Sequence, residues 1–337
     1  MKILVTGGLG YIGSHTVVAL QEKGFEVIVI DDLSNSRIEV LDGIQAITGI
    51  RPEFVQMDLQ KKAEVKQFFK SHSIQGIIHF AASKAVGESV EKPLLYYQNN
   101  LISLMNILEE MVFYKIEGLI FSSSCTVYGQ ADTLPITENA AIKPAESPYG
   151  KTKQIGEDIL RDVSKADNLN VIALRYFNPI GAHESALIGE LPLGVPQNLV
   201  PFVTQTAAGI RKELSVFGAD YPTPDGTAIR DYIHVVDLAE AHVAALDRLI
   251  NKKNKANFEA FNIGTGKGSS VLELIKTFVK VSEKQLNYKI VGRREGDITA
   301  AYADTTLANR ELGWQAKLSL ADALASAWKW QLKQEKN

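Results

Sequence analysis

A glycine-rich turn between the first strand and the first helix limits the fold of this chain more than any other stretch. Lys2-Ile3-Leu4-Val5-Thr6 is a short, mostly apolar run with β-branched residues, and it reads as a buried strand. Gly7-Gly8-Leu9-Gly10-Tyr11-Ile12-Gly13 follows at once. His15 to Lys23 then reads as a helix ended by Gly24, and Val27-Ile28-Val29-Ile30 as a second strand with Asp31 at its carboxyl end. Strand, glycine turn, helix, strand and acid in this register form the βαβ pattern of a dinucleotide site. Gly7 permits the tight turn, Gly10 lets a pyrophosphate approach the backbone, and Gly13 lets the helix pack close to the sheet. The helix N-terminus turns free N–H groups and a partial positive charge toward the phosphates. Asp31 can accept hydrogen bonds from the adenosine ribose and repels a 2′-phosphate, which favours NAD over NADP as cofactor.

Length and charge narrow the rest. The 337 residues are 45% hydrophobic and 22% charged, enough for one large or two medium domains. A net charge of −3 gives no reason to expect nucleic acid or an anionic membrane as partner. The one cysteine, Cys125, excludes an intrachain disulfide framework and fits a reducing compartment. No apolar run has the roughly 18 residues of a membrane span, no signal peptide precedes the first strand, and no metal site stands out. A cytoplasmic protein is expected.

Short apolar strands alternate with helices through the first half. Glu53-Phe54-Val55-Gln56, Gly76 to Ala82, Gly118 to Ser122 and Val171 to Tyr176 read as strands, and Lys61 to Lys70 and Pro93 to Tyr114 as helical. The expected fold class is α/β: a Rossmann-type doubly wound parallel sheet over residues 1–180, with ligands at the carboxyl ends of the strands. Pro192, Pro196, Pro201, Pro222 and Pro224 then mark a looser region. Residues 181–337 are read as a smaller mixed α/β domain that binds substrate. Strand-like stretches at Asp231 to Val236 and Phe261 to Ile263 are candidates to extend the first sheet. His79 is read as a histidine within a buried strand rather than a base, because no acid partner is placed nearby.

The chemistry-bearing residues come next. Ser122-Ser123-Ser124 ends a strand, and Tyr149-Gly150-Lys151-Thr152-Lys153 opens a helix just after Pro148. Residues four apart share a helix face, so Tyr149 and Lys153 can share a site. A phenol titrates near 10 and is a poor base at neutral pH. An adjacent ammonium and an oxidised nicotinamide would favour the phenolate, and a neighbouring serine can orient a substrate oxygen. Downstream of the dinucleotide turn, Ser124, Tyr149 and Lys153 resemble the catalytic set of the short-chain dehydrogenase/reductase superfamily. The Gly-x-x-Gly-x-x-Gly spacing is similar to its extended branch.

Longer motifs narrow the resemblance. Thr6 to Thr16, Phe80 to Pro93, Ser122 to Gly129, Arg175 to His183, Arg230 to Asp237 and Arg293-Arg294-Glu295-Gly296-Asp297 resemble the UDP-glucose 4-epimerase family across essentially the whole chain. That resemblance implies that Tyr149 takes the proton from the sugar 4-hydroxyl, that Lys153 tunes it and holds the nicotinamide ribose, and that Ser124 assists at the same oxygen. It places the cofactor against Gly7, Gly10, Tyr11, Ile12, Gly13, Asp31, Asn35, Ser36, Asp58, Leu59, Phe80, Ala81, Lys84, Asn99, Ser122, Tyr149, Lys153 and Phe177. It places the UDP-hexose against Lys84, Ser124, Tyr149, Asn178, Asn198, Leu199, Phe217, Arg230, Arg294, Asp297 and Ala301. It also implies a homodimer.

The implied reaction is a transient oxidation at sugar C4, rotation of the keto-sugar, and return of the hydride to the other face. Members of the family restricted to glucose and galactose carry tyrosine where this chain has Ala301. The resemblance therefore leaves open a wider range that includes UDP-GlcNAc and UDP-GalNAc, unless Tyr302 fills the gap. Two other readings stand beside it. Nucleotide-sugar 4,6-dehydratases place an Asp-Glu pair where this chain has Cys125-Thr126. Non-catalytic NAD sensors on this fold lose the tyrosine or lysine that this chain keeps.

Overall fold

The computed structural model describes residues 1–294 and 297–335; Glu295 and Gly296 of the Arg293–Asp297 motif lie outside the described residues. The central sheet has seven strands: β1 (Lys2–Thr6), β2 (Glu26–Asp31), β3 (Glu53–Gln56), β4 (Gly76–His79), β5 (Gly118–Ser124), β6 (Asn170–Tyr176) and β7 (Phe258–Ile263). Their spatial order is β3-β2-β1-β4-β5-β6-β7, and every pairing is parallel. This is the doubly wound Rossmann-type sheet expected from the alternation of short apolar strands and helices. The order reverses between β1 and β4, which opens a crevice at the carboxyl ends of the strands.

The strands are apolar almost without a break because both faces are covered. Ile3 and Val5 join a core shared with the helices Tyr11–Glu22 and Val235–Ile250. Leu4, pointing the other way, joins a second core with Lys62–Ser71, Ser103–Tyr114 and Pro148–Asp167. The first helix begins at Tyr11, four residues before the expected His15, because the glycine turn leads straight into helical geometry. Pro93 to Tyr114 is interrupted: α-helices at Pro93–Tyr97 and Ser103–Tyr114 flank a π-helical turn at Gln98–Ile102. Such turns recur at functional sites, and this one carries Asn99.

After Tyr176 the chain builds smaller sheets. Asn178–Ile180 pairs in parallel with Tyr232–His234, outside the central sheet, whereas Phe258–Ile263 joins the central sheet as β7. Ile229–Arg230 lies between Ser269–Ser270 and Ala300–Ala301, and Leu214–Phe217 pairs with Tyr288–Val291. The helices Leu199–Ala207, Val271–Ser282 and Leu320–Gln334 enclose a third core around Phe278 and Trp328. Capping boxes at Ser270/Glu273 and Ser319/Asp322 start the last two helices.

Candidate active site

The glycine turn has the geometry its spacing demands. Gly7 adopts φ +67°, and a Cβ there would sit 2.8 Å from the Ala81 nitrogen. A Cβ on Gly13 would collide with the Gly7 carbonyl and come within 2.8 Å of Gly8 Cα. The helix Tyr11–Glu22 has no side-chain cap, so its first N–H groups face the crevice above β1. Asp31, at the end of β2, is 8% exposed and accepts from the Leu9 and Leu33 N–H groups at 3.1 and 3.0 Å and from Ser36 Oγ at 2.7 Å. Burial raises its pKa and the three hydrogen bonds oppose the rise. This cradle fits the pyrophosphate and ribose of a dinucleotide, with room for no side chain at Gly7 or Gly13.

The other cofactor candidates ring the same crevice. Asp58 and Leu59 follow β3, where Asp58 Oδ1 accepts from the Gln60 N–H at 2.9 Å. Phe80 and Ala81 follow β4, and the Ala81 N–H reaches Thr6 Oγ1 at 3.4 Å. On the π-helical turn, Asn99 Nδ2 donates to Ser83 Oγ at 2.9 Å. Asn35 stands exposed in the loop after β2, with no side-chain partner among the described residues. Tyr11 and Ile12 are half-buried at the helix start, and the Tyr11 hydroxyl donates to the Gly181 carbonyl at 2.6 Å.

Ser124, Tyr149 and Lys153 meet at the ends of β5 and the helix Pro148–Asp167. Ser147 caps that helix by accepting from the Gly150 N–H, and Pro148 occupies its first turn. Lys153 is 4% exposed; its Nζ donates to the Ser122 carbonyl at 2.7 Å and lies 5.8 Å from the Tyr149 ring centroid. Burial lowers Lys153 to about 8, with Glu157 acting the other way. Burial also pushes the Tyr149 phenol up, Tyr176 adds to the rise, and a hydrogen bond with Ser124 opposes it. A further positive charge beside Tyr149 is what brings its phenolate within reach. Ser122 Oγ bonds the Tyr176 hydroxyl. His79 lies in β4 with its Nδ1 on Thr6 Oγ1 at 2.8 Å, and burial holds it neutral, down to about 3.

The substrate candidates fall into two groups. Arg230 Nη2 donates to Asp297 Oδ1 at 2.6 Å, Arg294 approaches the same oxygen at 3.5 Å, and the Arg294 guanidinium lies 5.7 Å from the Phe217 ring centroid. Arg230 is close enough to Cys125 to lower its thiol pKa, which ties this group to the turn after Ser124. Ala301 pairs with Arg230 in register and shares a buried apolar cluster with Val127, Tyr128 and Phe177. Tyr302 packs against Gly268. In the second group, Lys84 meets Glu190 at 3.4 Å, and Asn198 donates to the same carboxylate oxygen. Asn198 precedes the helix that begins at Leu199. Asn178 is exposed, with its N–H on the Asp231 carbonyl at 2.9 Å.

Two residues here escape a reading of the sequence. Glu190 joins Lys84 to Asn198, and its contact with Lys84 spans 106 positions, which no local pattern reveals. Asp231, fully buried, accepts from Thr265, Gly266 and Ala303 and so locks the strands of Arg230 and Ala301 together. Its only sequence signal is its place beside Arg230.

Known proteins place this geometry. Residues 4–327 match the family described as GDP-mannose 4,6 dehydratase. UDP-glucose 4-epimerase of Bacillus subtilis (strain 168) is 52% identical over 332 residues, 98% of this chain and 97% of its own. A crystal structure of UDP-glucose-4-epimerase from Stenotrophomonas maltophila, with bound NAD and formylated UDP-arabinopyranose, superposes with a TM-score of 0.96 at 46% identity, covering 100% of this chain and 99% of its own. The enzyme from Bifidobacterium longum, in complex with NAD+ and UDP, superposes with a TM-score of 0.95 at 47% identity, covering 99% of each chain. With this similarity over nearly its whole length, the chain belongs to the UDP-glucose 4-epimerase family of extended short-chain dehydrogenase/reductases.

Proposed function

We propose that this chain is an isomerase that inverts C4 of a UDP-hexose, interconverting UDP-glucose and UDP-galactose, with NAD as its cofactor. The observation that carries the reading is the buried Ser124–Tyr149–Lys153 trio on the sheet that carries the glycine cradle, with Arg230 beside Cys125, the residue that follows Ser124. Bound in that cradle, NAD supplies a two-electron acceptor and donor for C4. Tyr149 takes the proton from the 4-hydroxyl and later returns it, while Ser124 hydrogen-bonds the same oxygen. Lys153 holds a positive charge beside Tyr149 and favours its phenolate. The forked guanidinium of Arg230, with Arg294 beside it, matches a diphosphate. Asn178, Asn198, Leu199, Phe217 and Asp297 complete the nucleotide side. Firm binding of the UDP far from C4 leaves the hexose free to turn between the two transfers. Conversion of UDP-galactose to UDP-glucose by the purified chain, read by a glucose-nucleotide-specific dehydrogenase, tests the reading; no conversion with NAD supplied overturns it.

A 4,6-dehydratase needs an acid and a base where Cys125 and Thr126 stand, and burial pushes the Cys125 thiol up to about 11, away from either role. The relatives' names favour the plain hexoses as the main pair. Turnover of the N-acetylated pair as an addition would rest on the small side chain at Ala301, which pairs in register with Arg230.

Two further features belong to the same proposal. Val86 and Val90 of the helix Val86–Glu91, Leu94 and Leu95 of Pro93–Tyr97, and Met105 and Phe113 of Ser103–Tyr114 are exposed large apolar residues. We read them as the contact of a homodimer, checked by light scattering. The lone Cys125 supports a cytoplasmic location. Among the described residues no helix is long and apolar enough to cross a membrane, and no cluster of His, Cys, Asp and Glu could hold a metal.

A further inference from the structure

A buried polar network lies behind the catalytic trio, and the reaction as described does not use it. Glu157 stands one turn beyond Lys153, so Tyr149, Lys153 and Glu157 share one helix face. Its Oε1 accepts from Ser123 Oγ at 2.6 Å and Arg175 Nε at 2.9 Å. Its Oε2 accepts from Arg175 Nη2 at 2.6 Å and Arg161 Nη2 at 2.8 Å. Glu157 and Arg175 are each 2% exposed. Ser123 lies between Ser122, whose carbonyl holds Lys153, and Ser124. Arg175 continues to the Tyr128 hydroxyl at 3.0 Å, in the turn Cys125–Tyr128 that follows Ser124, and that hydroxyl donates to Asn262 on β7 at 2.6 Å.

An ion pair this deep adds little net stability over an apolar pair of the same size. Its bonds converge instead on the segment that presents Ser124 and the carbonyl partner of Lys153. We propose that Glu157 is a positioning residue of the epimerisation: it pins the end of β5 through Ser123 and Arg175 and sets a fixed negative charge one turn from the Lys153 ammonium. This rests on the function given above.

The charge has a direction that can be measured. Lys153 faces Tyr149 and Glu157 on its own helix, Phe121 and the Ser122 carbonyl on β5, and His79 on β4; Tyr176 on β6 faces Tyr149. His79 is neutral, and although Arg175 and Arg161 pair with the Glu157 carboxylate, Glu157 is the group that works to keep Lys153 protonated against its burial. Without it the ammonium loses its proton at lower pH.

Glu157→Gln alone would leave Arg175 buried and unpaired, so the informative variant is the pair E157Q/R175Q. The alkaline limb in the kcat–pH profile for UDP-galactose is expected to move to lower pH in the pair, and further in E157Q, where the Arg175 charge remains. Glu157→Asp, which keeps the charge but shortens the reach, should lower kcat and leave the limb in place. The Lys153 Cε resonance of the 13C-lysine-labelled holoenzyme should titrate earlier in the paired variant. A folded E157Q/R175Q protein with both readouts unmoved overturns the proposal. If that variant does not fold, Ser123→Ala decides: a lower kcat at unchanged KM supports the proposal, and an unchanged kcat overturns it. Absence of turnover in the wild-type chain would instead overturn the function, and this proposal with it.

Discussion

Replacing Gly13 with alanine tests the cradle on which the cofactor site is built. A Cβ there would come within 2.8 Å of Gly8 Cα and 3.1 Å of the Gly7 carbonyl carbon. Those are backbone atoms of a turn held by Gly7 N–H on the Ile30 carbonyl at 2.7 Å and Gly10 N–H on the Gly7 carbonyl at 3.1 Å, so they cannot swing aside. Overpacking costs ~1–3 kcal/mol, and a rigid surround puts this site at about 3. Alanine returns ~1 kcal/mol of helix propensity, leaving a net loss of about 2 kcal/mol. Gly87 provides the matched control: it too lies in a helix, Val86–Glu91, but a Cβ there meets nothing nearer than Gln197 Oε1 at 4.0 Å. Gly87→Ala should therefore gain up to ~1 kcal/mol. Denaturant unfolding of the three proteins measures both values, and the NAD content of purified Gly13→Ala should fall, because the helix must move off the turn. A Gly13→Ala protein as stable as wild type, with its full NAD, would refute the reasoning.

Tyr149→Phe should lower turnover by ~10²–10⁴ while the protein still carries NAD, since the phenol moves the proton and does not hold the phosphates; loss of NAD in parallel would contradict the assigned role. Acid should destabilise the fold in a defined window. Burial holds His15 and His79 down to about 3 and His234 and His242 down to about 4, against an ordinary value of 6.5. The unfolded chain takes up protons below 6.5 that the folded chain refuses, so stability is full above that pH. It falls by ~1.4 kcal/mol per pH unit for each histidine as pH drops toward its folded value. Thermal melts between pH 7 and pH 5 at constant ionic strength check this, and a flat profile would contradict it. Ala301→Tyr should suppress turnover of UDP-GalNAc and spare UDP-galactose; equal effects on both would remove the argument from the small side chain at Ala301.

The nucleotide half was legible because its signals are local. Strand Lys2–Thr6, the turn and Asp31 lie within thirty-one residues, and the turn's role follows from the missing Cβ of Gly7 and Gly13. The Tyr149–Lys153 pairing is likewise a matter of helical spacing. What the sequence hid is set by long-range contacts. The π-helical turn at Gln98–Ile102 resembles ordinary helix in composition. Glu190 meets Lys84 from 106 positions away, and Asp231 is a strand lock whose partners lie more than thirty residues on. Asp231–Val236 has the apolar character of a strand, yet Tyr232–His234 pairs with Asn178–Ile180 rather than the central sheet, a partner more than fifty residues away that no local pattern reveals.

The central claim is that the hydrogen on C4 leaves the sugar and returns to the same carbon inside one closed site. UDP-galactose carrying deuterium at C4, incubated in ordinary water with the purified chain and no added cofactor, tests it directly by mass spectrometry of the UDP-glucose formed. The account predicts that the deuterium stays at C4 of the product. Product whose C4 carries solvent hydrogen would contradict it.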